Sequence, residues 1–260
     1  MFDASFGILA PMLAHSIDQP FDSPDYIFEP KWDGFRCLSY LAPGETRLFS
    51  RNQKKLTAFF PELAGLDRLI AGHFAVLDGE IVTLVNGSPN FQALLARTRS
   101  TPSAGALSRQ VKLAPAVYMV FDILIWNDRN LMSLPLEERK ARLGKVVAES
   151  ESCVITRFIP EHGISLYEAV RAQKLEGIVA KRLDSIYTPG KRSHSWLKCK
   201  VVRSVDACIV GFTPKNRSLG SLALAVYKNA PPQLYYIGHV GTGFSEQEAE
   251  TMRRFFDRYV

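Results

Sequence analysis

The chain has 260 residues, 47% hydrophobic and 22% charged, a balance ordinary for a globular protein able to bury a sizeable core. Thirty-two basic against 26 acidic residues give a net charge of +6, a weak lean toward an anionic partner. No apolar run approaches the roughly 18 residues that cross a bilayer, and the start MFDASFGILAPML lacks the basic head of a signal peptide. The expectation is a cytoplasmic protein without a membrane partner. The four cysteines, Cys37, Cys153, Cys199 and Cys208, are scattered and read as reduced thiols.

Taken in chain order, Lys31-Trp32-Asp33-Gly34-Phe35-Arg36 is the first strong signal. By itself it reads equally well as a charged loop with a turn glycine. Arg36–Leu41 and Thr46–Ser50 then alternate around Pro43-Gly44, which predicts a hairpin. Phe74–Leu77 and Ile81–Val85 read as strand segments flanking Asp78-Gly79-Glu80, with an Asn86-Gly87 turn after them. Val117–Ile125 is apolar enough for a buried central strand. Helical patterns cover Phe91–Arg99, Leu136–Ala148 after Pro135, and Leu166–Lys174 after Ser165 as N-cap.

Glu176-Gly177-Ile178-Val179-Ala180-Lys181 reads as a strand with an acid at its head and a lysine at its tail. In Ser195–Lys200 the alternation places Lys198 and Lys200 on one face of a strand. The plain alternative is a sheet-edge strand for the first and a solvated strand face for the second. Beyond Lys200 the predicted strands are Val205–Phe212, Leu222–Tyr227 and Leu234–Val240, punctuated by Gly220 and Pro231-Pro232. A capping box of Ser245 and Glu248 then opens a helix whose apolar side carries Met252, Phe255, Phe256 and Tyr259. Three strands and a helix resemble the front of an OB barrel, which normally has five strands. Lys215 and Arg217 are candidates to track a nucleic-acid backbone, though singly each reads better as a loop charge. The sequence holds no His/Cys metal cluster, no GxxxxGK[ST] loop and no Ser/His/Asp arrangement.

The order and spacing of these segments resemble the covalent nucleotidyltransferase superfamily of DNA ligases, RNA ligases and mRNA capping enzymes. Lys31–Arg36 is similar to its motif I, Phe121-Asp122-Ile123-Leu124 to motif III, Glu176–Lys181 to motif IV and Trp196–Lys200 to motif V. A closer resemblance is to the ligase domain of bacterial double-strand-break repair ligases. It rests on Pro11-Met12-Leu13-Ala14, Phe28–Arg36, Leu48–Asn52, Leu134–Arg139, Tyr187–Lys200 and Val240–Ser245.

The resemblance implies an α+β fold: an antiparallel-sheet, ATP-grasp-like nucleotidyltransferase domain over residues 1–200, then an incomplete OB-like β-barrel domain over 201–260. It implies an ATP-dependent DNA ligase acting in repair through a lysine–AMP intermediate, with Mg²⁺ or Mn²⁺. Lys31 is then the nucleophile, with Asp33 orienting it or a metal-bound water. A lysine attacks only as the neutral amine, a form that neighbouring cations favour. Lys198 matches the α-phosphate contact, with Lys200 as its partner. Phe121 matches the ring that stacks on adenine, Glu29 the adenine-side contact and Glu80 the acid that accepts from a ribose hydroxyl. Arg36, Arg51 and Arg192 match arginines that touch the nucleotide or the DNA 5′-phosphate, and Glu176 the acid that holds the metal.

The implied partners are a nicked or broken DNA duplex and end-binding repair proteins, with the chain itself a monomer. Relatives of this kind continue past the position of Val260 with a basic motif that orients pyrophosphate. The expectation is slow self-adenylation with sealing of a pre-adenylated nick retained, and exposed strand edges in the second domain. Two alternatives stay open: an RNA ligase or capping-type transferase, and a non-catalytic DNA-end-binding remnant.

Overall fold

Apolar residues alternating along Phe35–Ala42 and Glu45–Ser50 pair antiparallel around Pro43-Gly44, so the expected hairpin forms in the computed structural model. The structure describes residues 7–85, 87–98, 104–202, 204–215, 218–228 and 233–258. Asn86, Arg99, Arg217, Pro231, Pro232 and Tyr259, all used in the sequence reading, lie outside the described residues. The chain divides into two units, Met1–Val201 and Val202–Val260.

The first unit contains β1 (Leu13–Ile17), β2 (Ser23–Pro30), β3 (Phe35–Ala42), β4 (Glu45–Ser50), β5 (Ala75–Val85), β6 (Ser88–Pro89), β7 (Ala116–Trp126), β8 (Arg129–Asn130), β9 (Cys153–Ile155), β10 (Ile159–Glu161), β11 (Gly177–Arg182) and β12 (Arg192–Lys200). Its helices are α1 (Phe91–Thr98), α2 (Ala104–Leu113), α3 (Leu136–Val146) and α4 (Gly163–Ala172). One sheet runs β1-β12-β11-β2-β10. The other runs β4-β3-β5-β7-β8, with β6 on β5 and β9 on β7. Pairing is antiparallel except for β1 with β12 and β7 with β9.

Strand alternation assigns the faces. Ile178, Ala180 and Cys199 point to the side covered by Leu166 and Val170 of α4, in one buried cluster. Val179, Lys181, Trp196 and Lys198 take the opposite face. There Trp196 joins Leu38, Tyr40, Phe121 and Tyr187 in a second cluster linking the two sheets. The third and largest cluster includes Leu77, Tyr118 and Val120 of the second sheet with Leu143 and Val146 of α3.

Asp78-Gly79-Glu80 does not separate two strands. It lies mid-way along the continuous β5, with register irregularities at Val76/Leu77 and Asp78/Gly79. The glycine is there for space, since a Cβ at Gly79 would sit 2.6 Å from the buried Tyr118 ring and 2.8 Å from the Met119 carbonyl oxygen. Helix α4 starts at Gly163 with His162 as N-cap, ahead of the expected Ser165. Asp22 replaces the expected cap, accepting from the Ile164 amide at 2.9 Å. Helix α2 and strands β1, β2, β9 and β10 carried no pattern that marked them in the sequence.

Arg139 of α3 is fully buried and makes a two-pronged ion pair with Asp122 of β7, 2.9 Å on each prong. It also donates to the carbonyls of Leu134 and Ser185. Every donor here has left water, so the pair fixes α3 against β7 more than it adds net stability.

The second unit consists of β13 (Cys208–Lys215), β14 (Ser218–Lys228) and β15 (Gln233–Val240), antiparallel in that order, and α5 (Glu246–Phe256). The first of these strands begins at Cys208, three residues later than the pattern indicated. The capping box forms: Ser245 Oγ accepts from the Glu248 amide, and Glu248 accepts from the Ser245 amide at 2.7 Å. Leu219, Leu222 and Ala249 are buried, with Phe212, Leu224, Met252 and Phe256 packed against them. Among the described residues no helix is long and apolar enough to cross a membrane.

Truncating Arg139 to alanine strands Asp122 without a counter-ion, and unfolding free energy should fall by about 3–5 kcal/mol. Removing the exposed Arg157, paired with Glu149, should leave the urea midpoint unmoved. Urea titration of both variants checks the contrast.

Candidate active site

Between the facing sheets of the first unit lies a cleft of roughly 200 Å³. The first sheet lines it with Leu13, Glu29, Val179, Lys181, Arg192, Trp196 and Lys198; the second supplies Arg36, Glu80 and Phe121. Lys31 and Trp32, in the β2–β3 connection, and Arg51, just after β4, complete the wall.

Lys31 is placed by its backbone, whose amide donates to the Gly177 carbonyl at 2.8 Å and so extends the pairing of β2 with β11. Trp32 anchors the next residue by donating from Nε1 to Thr156 Oγ1 at 3.1 Å. Gly34 lets the loop turn into β3 against β5, because a Cβ there would sit 2.2 Å from the Ile81 carbonyl oxygen. The Lys31 ammonium pairs with Glu176 Oε2, and Lys200 holds the other oxygen at 2.8 Å. Burial raises the Glu176 carboxyl, but the hydrogen bonds from Lys200 and Lys31 outweigh it and leave its pKa below the ordinary value. Asp33 is shifted upward, first by burial and then by Glu176, with Lys31 and Lys200 opposing.

The sequence-named residues are thus gathered in two adjoining groups. Glu29, Lys31, Arg36, Arg51, Glu80, Phe121, Arg192 and Lys198 line the cleft. Glu176 and Lys200 sit around the Lys31 amine, and Asp33 lies within their electrostatic reach. Burial lowers the Lys198 pKa first, followed by repulsion from Arg192, Lys200, Lys31 and Arg51. Such a crowd of like charges is stabilised by a polyanion.

Several groups that shape the cleft lie in segments the sequence reading named without assigning them a role. Asp78, fully buried, takes Arg36 in a two-pronged pair at 2.6 and 2.7 Å and accepts from the Tyr187 hydroxyl at 2.6 Å. Burial opposes the Arg36 charge, but Asp78 overrides it and holds the guanidinium pKa above its ordinary value. The Arg36 guanidinium lies 4.6 Å from the Phe121 ring centroid, and Lys181 Nζ lies 4.0 Å from it and 4.3 Å from the Trp196 ring. Phe121 is therefore a mostly buried wall residue, 7% exposed. Arg192 donates to the Ala14 carbonyl across the β1–β12 junction, which ties it to the rim. The strand register alone, unread in the sequence, would have placed Lys181 beside Glu29.

Glu80 behaves unlike Glu176. Burial pushes its pKa up to about 7, against the pull of Arg36 and Lys31, with Asp78 and Glu176 adding to the rise. A carboxyl raised this far keeps a protonated form within reach near neutrality, able to donate as well as accept. Among the described residues no group of three or more His, Cys, Asp or Glu side chains would hold a metal alone. Glu176, with Asp33 nearby, offers the sparse carboxylate set that suits a hard cation keeping water and substrate oxygens as ligands.

Two family descriptions match the chain: the ATP dependent DNA ligase domain over residues 11–200, and the ATP dependent DNA ligase C terminal region over 215–259. The multifunctional non-homologous end joining protein LigD of Mycolicibacterium smegmatis is 33% identical over 248 residues, covering 94% of this chain and 31% of that protein. The chain thus spans about a third of the length of such relatives. The SPbeta prophage-derived DNA ligase-like protein LigB of Bacillus subtilis is 32% identical, with 80% of this chain and 73% of that protein covered. Among solved structures, mycobacterial DNA ligase D complexed with ATP and MES shares 30% identity with a TM-score of 0.65, over 96% of this chain and 78% of that one. The ligase domain of LigD from M. tuberculosis gives 30% and 0.63, over 95% and 77%.

The Glu80 shift carries a stability signature. A carboxyl raised from 4.5 to about 7 makes the folded state bind more protons than the unfolded chain between those values, so stability falls as pH rises through that window. Glu80→Gln should melt several degrees above wild type at pH 8, with the gap closing toward pH 4.5. Thermal denaturation across pH measures it.

Proposed function

The chain belongs to the family of ATP-dependent DNA ligases, and from that premise we propose that it joins broken DNA strands by way of AMP carried on Lys31. The observation that carries the reading is the cluster of mutually repelling cations around Lys31, at the mouth of a slot walled by Phe121 and Trp196. A slot of this kind accepts a flat base on its apolar wall and phosphates among the cations.

In the first step the neutral Lys31 amine forms a P–N bond to the α-phosphorus of ATP while the bond to pyrophosphate breaks. The DNA 5′-phosphate then displaces the lysine from AMP, and the 3′-hydroxyl at the break displaces AMP to close the strand. Lys198 contacts the α-phosphate oxygens, where negative charge grows in the transition state, and Lys200 supports it. Arg51 and Arg192 extend that cationic surface toward the 5′-phosphate. Arg36, pinned by Asp78, gives a charge of fixed position beside the Phe121 ring. Glu80 meets a ribose hydroxyl and Glu29 the amine of adenine.

Glu176 holds Lys31 in place before the nucleotide arrives, and Asp33 shares that environment. These two carboxylates would hold Mg²⁺ or Mn²⁺, which when bound supplies charge neutralisation at the phosphoryl oxygens. The substrate is a nicked or broken DNA duplex in repair, and end-binding repair proteins are the fitting partners, in line with the LigD relatives.

Incubation with α-labelled ATP and Mg²⁺ should attach AMP to the wild-type chain, with the label mapping to Lys31. Lys31→Ala should abolish the label while keeping the wild-type circular dichroism spectrum. Lys198→Met should slow labelling by about a hundredfold or more. Sealing of nicked DNA but not nicked RNA separates DNA joining from the RNA alternative. Absence of any lysine adduct, with pre-adenylated nicks also left unsealed, would refute the proposal.

A further inference from the structure

Glu29, the residue read above as meeting adenine, belongs to a buried charged cluster whose two lysines have no part in the chemistry at Lys31. Glu29 on β2 and Lys181 on β11 are each about 2% exposed, and Lys181 donates to Glu29 Oε2 at 2.7 Å. The antiparallel register sets Glu29 opposite Val179, so Lys181 is its diagonal neighbour on the same face. A second ammonium arrives from a different layer: Lys140 of α3, 7% exposed, forms an ion pair with Glu29 Oε1. Two cations thus close on one buried carboxylate. Glu29 Oε1 and the Lys140 amine are held by that ion pair and have no further hydrogen bond. Trp196 Nε1, also buried, has none either. Buried polar atoms in this condition are costly unless something completes them.

Resting on the nucleotide reading of the cleft, we infer that Lys140 and Lys181 form a two-ammonium clamp that fixes Glu29 and thereby sets which purine the cleft accepts. A 6-amino purine presents an N–H donor beside a ring-nitrogen acceptor. A 6-oxo purine presents the reverse order, a carbonyl oxygen beside an N–H. A carboxylate beside an ammonium matches the first order and opposes the second. A carboxylate free to swing would meet the N–H of a 6-oxo purine instead, and the selection would weaken. Lysines on two elements, β11 and α3, remove that freedom. Burial lowers the Lys181 pKa to about 8, with Glu29 opposing the shift and Lys140 reinforcing it; Asp122 also favours the charged form. Lys140 does not line the cleft, so it acts only through Glu29 and is a positioning residue.

The test is equilibrium binding of ATP and ITP, which share sugar and phosphates and differ in the base edge, to the whole chain. Lys140→Met should lower the ratio of ATP to ITP affinity by about tenfold or more, and Lys140→Arg should restore it. Lys140→Gln, uncharged but polar, gives a second route to the same ratio if the methionine variant does not fold. An unchanged ratio in a folded variant, or an equal loss of both affinities, overturns the clamp and leaves the nucleotide reading standing. Failure of the wild-type chain to bind ATP at all overturns the nucleotide reading, and the clamp falls with it.

Discussion

Cations crowded into a half-buried cleft repel one another, so their positions depend on carboxylates set directly behind them. Asp78 fixes Arg36, Glu29 fixes Lys181 and Lys140, and Glu176 fixes Lys31 and Lys200. Asp78 and Glu29 lie on strands, and Glu176 immediately precedes one, so the anchors inherit the rigidity of the sheets. Pairs of this sort add little net stability, because desolvation offsets most of the Coulomb gain. They contribute geometry instead. Charges that would otherwise fan into solvent are aimed at one volume before any anion enters it, and that preorganisation is what transition-state stabilisation requires.

Two glutamates in this cleft show how far environment decides chemistry. Glu176 is partly buried and doubly hydrogen-bonded by lysines, which keeps it ionised. Glu80 sits deeper, and the cations near it do not compensate for burial, so it titrates close to neutrality. An acid kept ionised suits a cation or an ammonium. An acid that is half protonated suits a hydroxyl, to which it can donate or from which it can accept. Both residues stand where the sequence resemblance names an acid, yet nothing in the sequence distinguishes their protonation.

Legibility in the sequence followed the range of the interaction. Patterns set by near neighbours were readable: the β3–β4 hairpin from alternation around Pro43-Gly44, the buried β7 from a run apolar but for Asp122, and the α5 cap from Ser245 and Glu248. Readings failed where distant packing outvoted local chemistry. Asp78-Gly79-Glu80 has turn composition, but the Tyr118 ring needs the space a glycine leaves and keeps β5 continuous. Ser165 is a good N-cap by type, but Asp22, 142 residues before Ile164, takes that function and moves the start of α4 upstream. At the cleft, ordered motifs pointed to residues now found together. Lys140 went unmarked and Lys181 was marked only as the tail of a strand, because a lysine on a helix and one at a strand end look solvated until the register is known.

The same long-range logic binds Lys31 to its carboxylate. Lys31 and Glu176 are 145 residues apart, yet the main chain brings them together before any side chain takes part. The Lys31 amide donates to Gly177, the residue after Glu176, and the Val201 amide donates to Glu176 itself just beyond Lys200. Three segments carrying the chemically distinctive side chains are therefore stitched by backbone hydrogen bonds at one end of one sheet. Any slip of β2 or β12 relative to β11 would carry Lys31 or Lys200 away from Glu176, and a one-residue slip would also turn Lys198 and Trp196 to the α4 side. The buried faces of Ile178, Ala180 and Cys199 against α4 forbid that slip, because it would drive charged residues into the apolar layer. Hydrophobic packing on the far side of the sheet is thus what keeps the Lys31 amine in register on the near side.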